Sequence, residues 1–464
     1  MRNRVLSMVL LGALLGGLSG CGASGENDGN APVAIPRQGS IRVVHVIPDA
    51  GRMTSFLSNS VFSANQFGEA TVLSQQLVAQ YVMNILLTPP NDVTTTLVDN
   101  ATVDLADEDE FSFIMIGPAA SPQLVRIDNI EIGFNVDPSK PAQFPPPDFQ
   151  IVHGSTSTDA VDVYVTDAAV DLATASPTAT VSFGNVTPLV EQDPVVSYRV
   201  RVTPAGSKTV LFDSGSFAVA KLKRSIYLLI DNFGPTGESL RVANVTAAGA
   251  EDFPNQTMQG GLRAANMIPD APHVDIYLGT PAGAPLFQNV AYGATTPYSL
   301  AVANGSFTVN VTPAGVPGTV IATGTVAVVG GQARSIYASG RDSDDTTALA
   351  AVVESQRSIL GQAQFRFVQA APSAGTVDVY LAAPGQPISD ASPILANGVL
   401  LASSSVNLTP GSYDLFVTRS GTTVQLFGPD RISVDAGAVY SAVLLDAPGG
   451  GGPLQVQVTP EMLP

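Results

Sequence analysis

Three histidines are the side chains of this sequence best suited to act as a general base near neutral pH. His45 and His153 fall in one column of an internal alignment whose other members are Asn266 and Gln369. Asn and Gln cannot take a proton, so the column asks for a hydrogen-bonding side chain near a strand end. A hydrolase with His45 or His153 beside a serine and a carboxylate stands only as an alternative. His273 follows Pro272 just before a strand and is expected to be exposed. The sequence has no Gly-x-Ser-x-Gly elbow, no His-Glu-x-x-His pair and no Gly-x-x-x-x-Gly-Lys phosphate loop. No catalytic residue, cofactor or metal ligand is assigned.

A second column holds Asp162, Asp275 and Asp378, with Tyr164, Tyr277 and Tyr380 two residues on. The aspartates either ligate a cation or small ligand in each copy or accept backbone N–H groups of a neighbouring loop. Thr54 stands at this position in the first copy and no other acidic column travels with it, which favours the structural role. The tyrosines suit half-buried packing or a ligand platform; zero Trp and 6% aromatics weigh against a sugar-stacking surface. Two acidic clusters, Asp104 with Asp107–Glu110, and Asp342 with Asp344 and Asp345, lack the spacing of a calcium loop and read as solvated turns.

These columns belong to four copies of one unit. Ile41-Arg42-Val43-Val44-His45-Val46-Ile47-Pro48-Asp49-Ala50 aligns with Phe149 to Gly154, Leu262 to Ala271 and Phe365 to Ala374. Val161-Asp162-Val163-Tyr164, Val274-Asp275-Ile276-Tyr277 and Val377-Asp378-Val379-Tyr380 follow; the first copy has Met53-Thr54-Ser55-Phe56. Later marks recur as Val202-Thr203-Pro204-Ala205-Gly206 and Val311-Thr312-Pro313-Ala314-Gly315, and as Arg224-Ser225-Ile226-Tyr227 and Arg334-Ser335-Ile336-Tyr337. Copy starts at 42, 150, 263 and 366 are too far apart for solenoid turns and suit domains with their own cores. Short Val- and Thr-rich runs separated by Gly, Pro, Asn and Asp predict an all-β chain of four tandem immunoglobulin-like β-sandwiches, over 40–140, 148–250, 262–354 and 363–464. Pro141 to Pro147 reads as a stiff spacer, Glu251 to Gly261 and Glu354 to Gln362 as further joints, and Gly449 to Gly452 as a hairpin loop.

Arg2 and Arg4 precede an apolar run from Val5 to Leu18 that is too short to span a bilayer as a helix. Leu18-Ser19-Gly20-Cys21 resembles the bacterial lipobox, which implies cleavage after Gly20 and a lipid on Cys21, the only cysteine. Residues 1–20 are then a lipoprotein signal peptide and 21–39 a flexible tether. Gly22 at the second mature position, by resemblance to Gram-negative sorting, directs the protein to the outer membrane. A net charge of −18 repels nucleic acid.

The repeated Arg-x-x-x-[His/Asn/Gln]-x-x-Pro-Asp-Ala, with Val-Asp-[Val/Ile]-Tyr and the Thr-Pro-Ala-Gly and Arg-Ser-Ile-Tyr marks, resembles the domain-of-unknown-function family numbered 4397. The resemblance implies tandem β-sandwiches of bacterial cell-surface proteins and carries no catalytic residue or ligand. The expected function is a non-enzymatic structural, adhesive or protein-binding role in the cell envelope. The partners are the membrane, through the N-terminal lipid, and an unidentified protein or glycan. A surface receptor for a carbohydrate or small ligand is the alternative, with the Asp and Tyr columns as its site.

Overall fold

The structure, a computed structural model, describes residues 37–88, 94–130, 148–191, 197–218, 224–235 and 237–461. The signal peptide, Cys21, most of the tether and the Pro141 to Pro147 spacer lie outside these residues. No described helix is long and apolar enough to cross a membrane.

In the first repeat the chain forms β1 (Gln38–His45), β2 (Met53–Leu57), β3 (Ser60–Asn65), β4 (Ser74–Leu77), β5 (Ala79–Leu87), β6 (Thr95–Leu105), β7 (Asp109–Ile116) and β8 (Gln123–Ile130). One sheet has the order β4-β1-β7-β8 and the other β3-β2-β5-β6. All neighbours are antiparallel except β1 and β7, which run parallel with Val43 beside Phe113. The same order recurs in the other three repeats, with one extra edge strand, Gly249–Asp252, in the second. The architecture is all-β, four tandem sandwiches, as the repeat pattern predicts. Leu454 resumes a strand-forming stretch after Gly449 to Gly452, and Gln455–Glu461 pairs with Val439–Leu445 around that loop.

Each repeat has its own core between its two sheets. In the first it is built from Ile41, Val43, Met53, Ile85, Phe111 and Phe113. The sheet containing β1 and β7 is apolar on its other face as well, as parallel-paired strands covered on both sides are. Val44, Val46, Ile114, Ile116, Val125 and Ile127 pack against Val152, Ile226, Leu228, Ile230, Ala243 and Val245 of the second repeat. Along Arg224–Gly234 the alternation is strict: Ile226, Leu228 and Ile230 meet the first repeat, and Tyr227 and Leu229 enter their own core. Ala265, Met267 and Tyr337 of the third repeat meet Val368, Ala370, Val443 and Leu445 of the fourth in the same manner. Burying a large aliphatic side chain contributes about 1.5–3 kcal/mol, well above the roughly 0.5–1 kcal/mol that ordering it costs.

Beyond these separate cores, the repeats also pack on one another. The repeats are clamped in two pairs by cores that cross from one to the next. The two described joints are docked as well. Asn255 is buried, accepting from Asp213 N–H and donating to Leu211 O, while its own carbonyl accepts from Asn304 Nδ2. The 354–362 segment lies on the first repeat, where Leu360 N–H donates to Asp49 O.

Candidate functional site

The histidine column is a set of loop staples. After β1 the chain must leave the sheet, and its first turn leaves backbone groups that a buried side chain has to satisfy. His45 Nδ1 accepts from Ile47 N–H at 3.3 Å and Nε2 donates to Gly51 O at 2.8 Å. Asn266 reproduces both roles, accepting from Ile268 N–H and donating to Ala271 O and Val290 O. Gln369 accepts from Ala371 N–H and donates to Ala371 O and Gly375 O. His153 donates to Asp159 O at 2.9 Å. His45 serves here only when neutral, because protonating the ring removes the acceptor that Ile47 N–H uses.

Burial pulls the pKa of His45 down to about 4, with Arg357 lowering it further and the bond to Gly51 raising it. His153 is lowered for the same first reason. The unfolded chain therefore takes up protons before the folded one does. The His45 contribution is fully present above pH 6.5 and is lost as pH falls towards about 4, a loss of roughly 3 kcal/mol over that window. Urea midpoints should be flat above pH 7 and fall below 6.5, and His45→Asn should flatten the fall between pH 6.5 and 4.5. An unchanged slope in that variant would count against the staple.

No triad forms around either histidine. Ser155 Oγ donates directly to Asp231, which also accepts from Thr156 N–H, Thr156 Oγ1 and Ser157 N–H. The carboxylate thus lies on the hydroxyl side instead of behind the imidazole, and His153 Nε2 is engaged with Asp159 O. His45 Nδ1 and Nε2 both bond backbone groups. His273 is exposed.

The aspartate column joins two motifs that the sequence shows separately. Asp162, Asp275 and Asp378 each accept, through Oδ2, the N–H of Gly206, Gly315 and Gly421 at 2.8 Å. These glycines have φ of 73°, 76° and 69°, where a side chain is strained, so the Thr-Pro-Ala-Gly turn and its carboxylate form one device. Oδ1 accepts Asn289 N–H and Asn397 N–H at 2.7 Å, and in the second repeat Thr180 Oγ1 at 2.5 Å. Burial works to raise Asp378, but the N–H groups of Asn397 and Gly421 and the Ser420 side chain hold it below the usual carboxylate range. With both oxygens of each carboxylate engaged, the column functions as an internal staple. Among the described residues no group of three or more His, Cys, Asp or Glu is placed to hold a metal ion.

The tyrosines of the same strands are largely covered by the protein. Tyr164 and Tyr277 are buried, and Tyr380 is half-buried. Tyr164 carries Lys208 on its ring face at 4.5 Å and accepts from its Nζ at 3.1 Å. In the acidic clusters, Asp107 and Asp109 accept backbone N–H groups and Asp344 pairs with Arg341.

Two polar systems escaped the sequence reading. Asp49 accepts Ala119 N–H, and Asp270 accepts Asp342 N–H and Ser343 N–H, so the first and third repeats brace their first turn from the Pro-Asp-Ala side. The second and fourth carry Ser157 and Ser373 there. Their carboxylates, Asp231 and Asp446, sit on the opposite strand end and accept from those turns. The second system is the Arg column. Arg263 Nη1 and Nη2 bind Glu461 of the fourth repeat at 2.6 Å, and Arg366 of the fourth binds Glu354 at the end of the third. This exchange has the form of a two-fold, self-complementary interface. In the first repeat Arg42 Nη1 crosses to Thr246 O of the second.

Residues 260–380, the third repeat and the opening of the fourth, match the family model described as Domain of unknown function (DUF4397). No curated protein matches the sequence. Among solved structures, the Bacillus anthracis TIE protein is 9% identical over 86% of this chain and 69% of its own, with a TM-score of 0.15. The product complex of SpuA, a multi-modular glycogen-degrading pneumococcal virulence factor, is 11% identical over 60% of this chain and 37% of its own, with a TM-score of 0.13. At these scores neither bears on the function.

Proposed function

We propose that this chain, whose residues 260–380 match the DUF4397 model, is a lipid-anchored cell-envelope protein with a non-enzymatic structural, adhesive or protein-binding role. The observation that supports the reading best is the use of the recurring polar residues. The His/Asn/Gln and Asp columns bond the turns of their own repeats, and the Arg column holds repeats together. Repeats clamped in pairs would present a partner with a fixed surface at little ordering cost. The lipobox-like Leu18 to Cys21 supports the anchor, and Gly22 supports the outer membrane as its destination.

Cys21→Ser is expected to abolish labelling by a palmitate analogue and to move the protein from the membrane fraction to the soluble one. Retention of the variant in the membrane would refute the anchor. The soluble variant then serves as bait on intact cells, where a saturable protein or glycan partner is expected. Turnover of ester, peptide or glycoside substrates that His153→Asn abolishes would overturn the non-enzymatic role.

A further inference from the structure

The first repeat, the 354–362 segment and the fourth repeat enclose a cleft of about 570 Å³. Arg52, Arg357 and Arg366 open on it, and no aspartate or glutamate lines it, although the chain has 39 acidic residues against 21 basic ones. A concentration of positive charge in an acidic protein calls for a physical reason.

Arg357 is buried, and what it touches is neutral. Nη1 donates to Pro48 O at 2.9 Å and Ala50 O at 2.5 Å, and the guanidinium lies 4.8 Å from the Phe67 ring centre. Burial lowers its pKa to about 10, Arg241 pushes the same way, and Asp49 only partly opposes them. Arg366 is also buried; Glu354 and Ser441 engage Nη1, but its Nε is enclosed with no hydrogen-bond partner. Arg52 is exposed at the mouth and, among the described residues, pairs with no carboxylate. The side-chain amides of Gln66, Gln362 and Asn407 complete the lining used here. A desolvated cation without a contacting counter-charge is costly, and an entering anion relieves that cost. Guanidinium forks match carboxylate and phosphate oxygens, and amides match hydroxyl groups.

We propose that this cleft binds a small hydroxylated anion, a sugar bearing a carboxylate or a phosphate, with the anionic group between Arg52 and Arg357 and the hydroxyls on the amides. The assignment does not depend on the lipid anchor or on the envelope role.

The test is calorimetric titration of the full chain carrying Cys21→Ser with glucuronate, glucose 6-phosphate, glucose and inorganic phosphate. One or both charged sugars should bind, weakening with added salt, while glucose does not; whichever sugar binds identifies the anionic group. Arg52→Ala, at an exposed position, should leave the melting temperature unchanged and weaken binding at least tenfold, with Arg52→Lys losing less. The proposal is overturned if neither charged sugar binds at about 10 mM, the millimolar floor of specific recognition. It is overturned equally if inorganic phosphate alone binds, if glucose binds as well as its charged counterparts, or if Arg52→Ala leaves the affinity unchanged.

Discussion

Leu228→Asp should unfold the second repeat and strip protection from the first. Leu228 is fully buried, yet it lies outside the core of its own sandwich, on the face that meets Ile114, Ile116 and Val125. A carboxylate there has no partner, and the change removes an aliphatic side chain from a packed layer. Each effect alone costs several kcal/mol, so a loss of about 4 kcal/mol or more is expected. Hydrogen exchange is the decisive readout. Amides of β7, in the first repeat, should exchange faster in the variant although every residue of that repeat is unchanged. If they keep their protection, the two repeats are independent and the clamp is wrong.

The second large effect is expected at Glu354. Its carboxylate sits between Arg366, which it binds, and Arg263 at 3.4 Å, in a region where both guanidiniums are nearly excluded from water. Glu354→Gln preserves shape and removes the negative charge, leaving two buried cations to share Glu461. Breaking a buried ion pair from one side costs about 3–5 kcal/mol, and the melting temperature of the third and fourth repeats should fall accordingly. Replacing both partners, Glu354→Leu with Arg366→Met, should recover much of the loss, because no uncompensated charge remains. A Glu354→Gln variant that melts with the parent would mean that the network contributes nothing to holding the repeats together.

Strand content and the four-fold repeat were legible because apolar alternation and turn residues are local signals. The Asp and Gly members of the staple were visible as two separate marks, Val-Asp-x-Tyr and Thr-Pro-Ala-Gly. Their partnership was hidden by the sequence separation of 44 between Asp162 and Gly206. Thr54 in the first repeat carried a clue, since that copy also lacks the turn glycine after Leu87-Thr88-Pro89-Pro90. The pairing of repeats was written in Phe111-Ser-Phe-Ile-Met-Ile116, Ile226-Tyr-Leu-Leu-Ile230 and Val439-Tyr-Ser-Ala-Val-Leu-Leu445. These runs break the alternation of a strand with one wet face, the signature of a sheet covered twice. The buried role of Arg357 could not be read, because nothing local distinguishes an arginine in a joint from a solvated one.

The clamp also bears on how such a gene can grow or shrink. A sandwich whose second sheet is apolar on both sides is only half a folding module, since its outward layer must find a sister. Removing or adding a single copy would leave one such layer bare and prone to self-association. Tandem arrays built on this plan should therefore gain and lose copies in twos, with the Asp49-type and Asp231-type braces marking the two members of each increment.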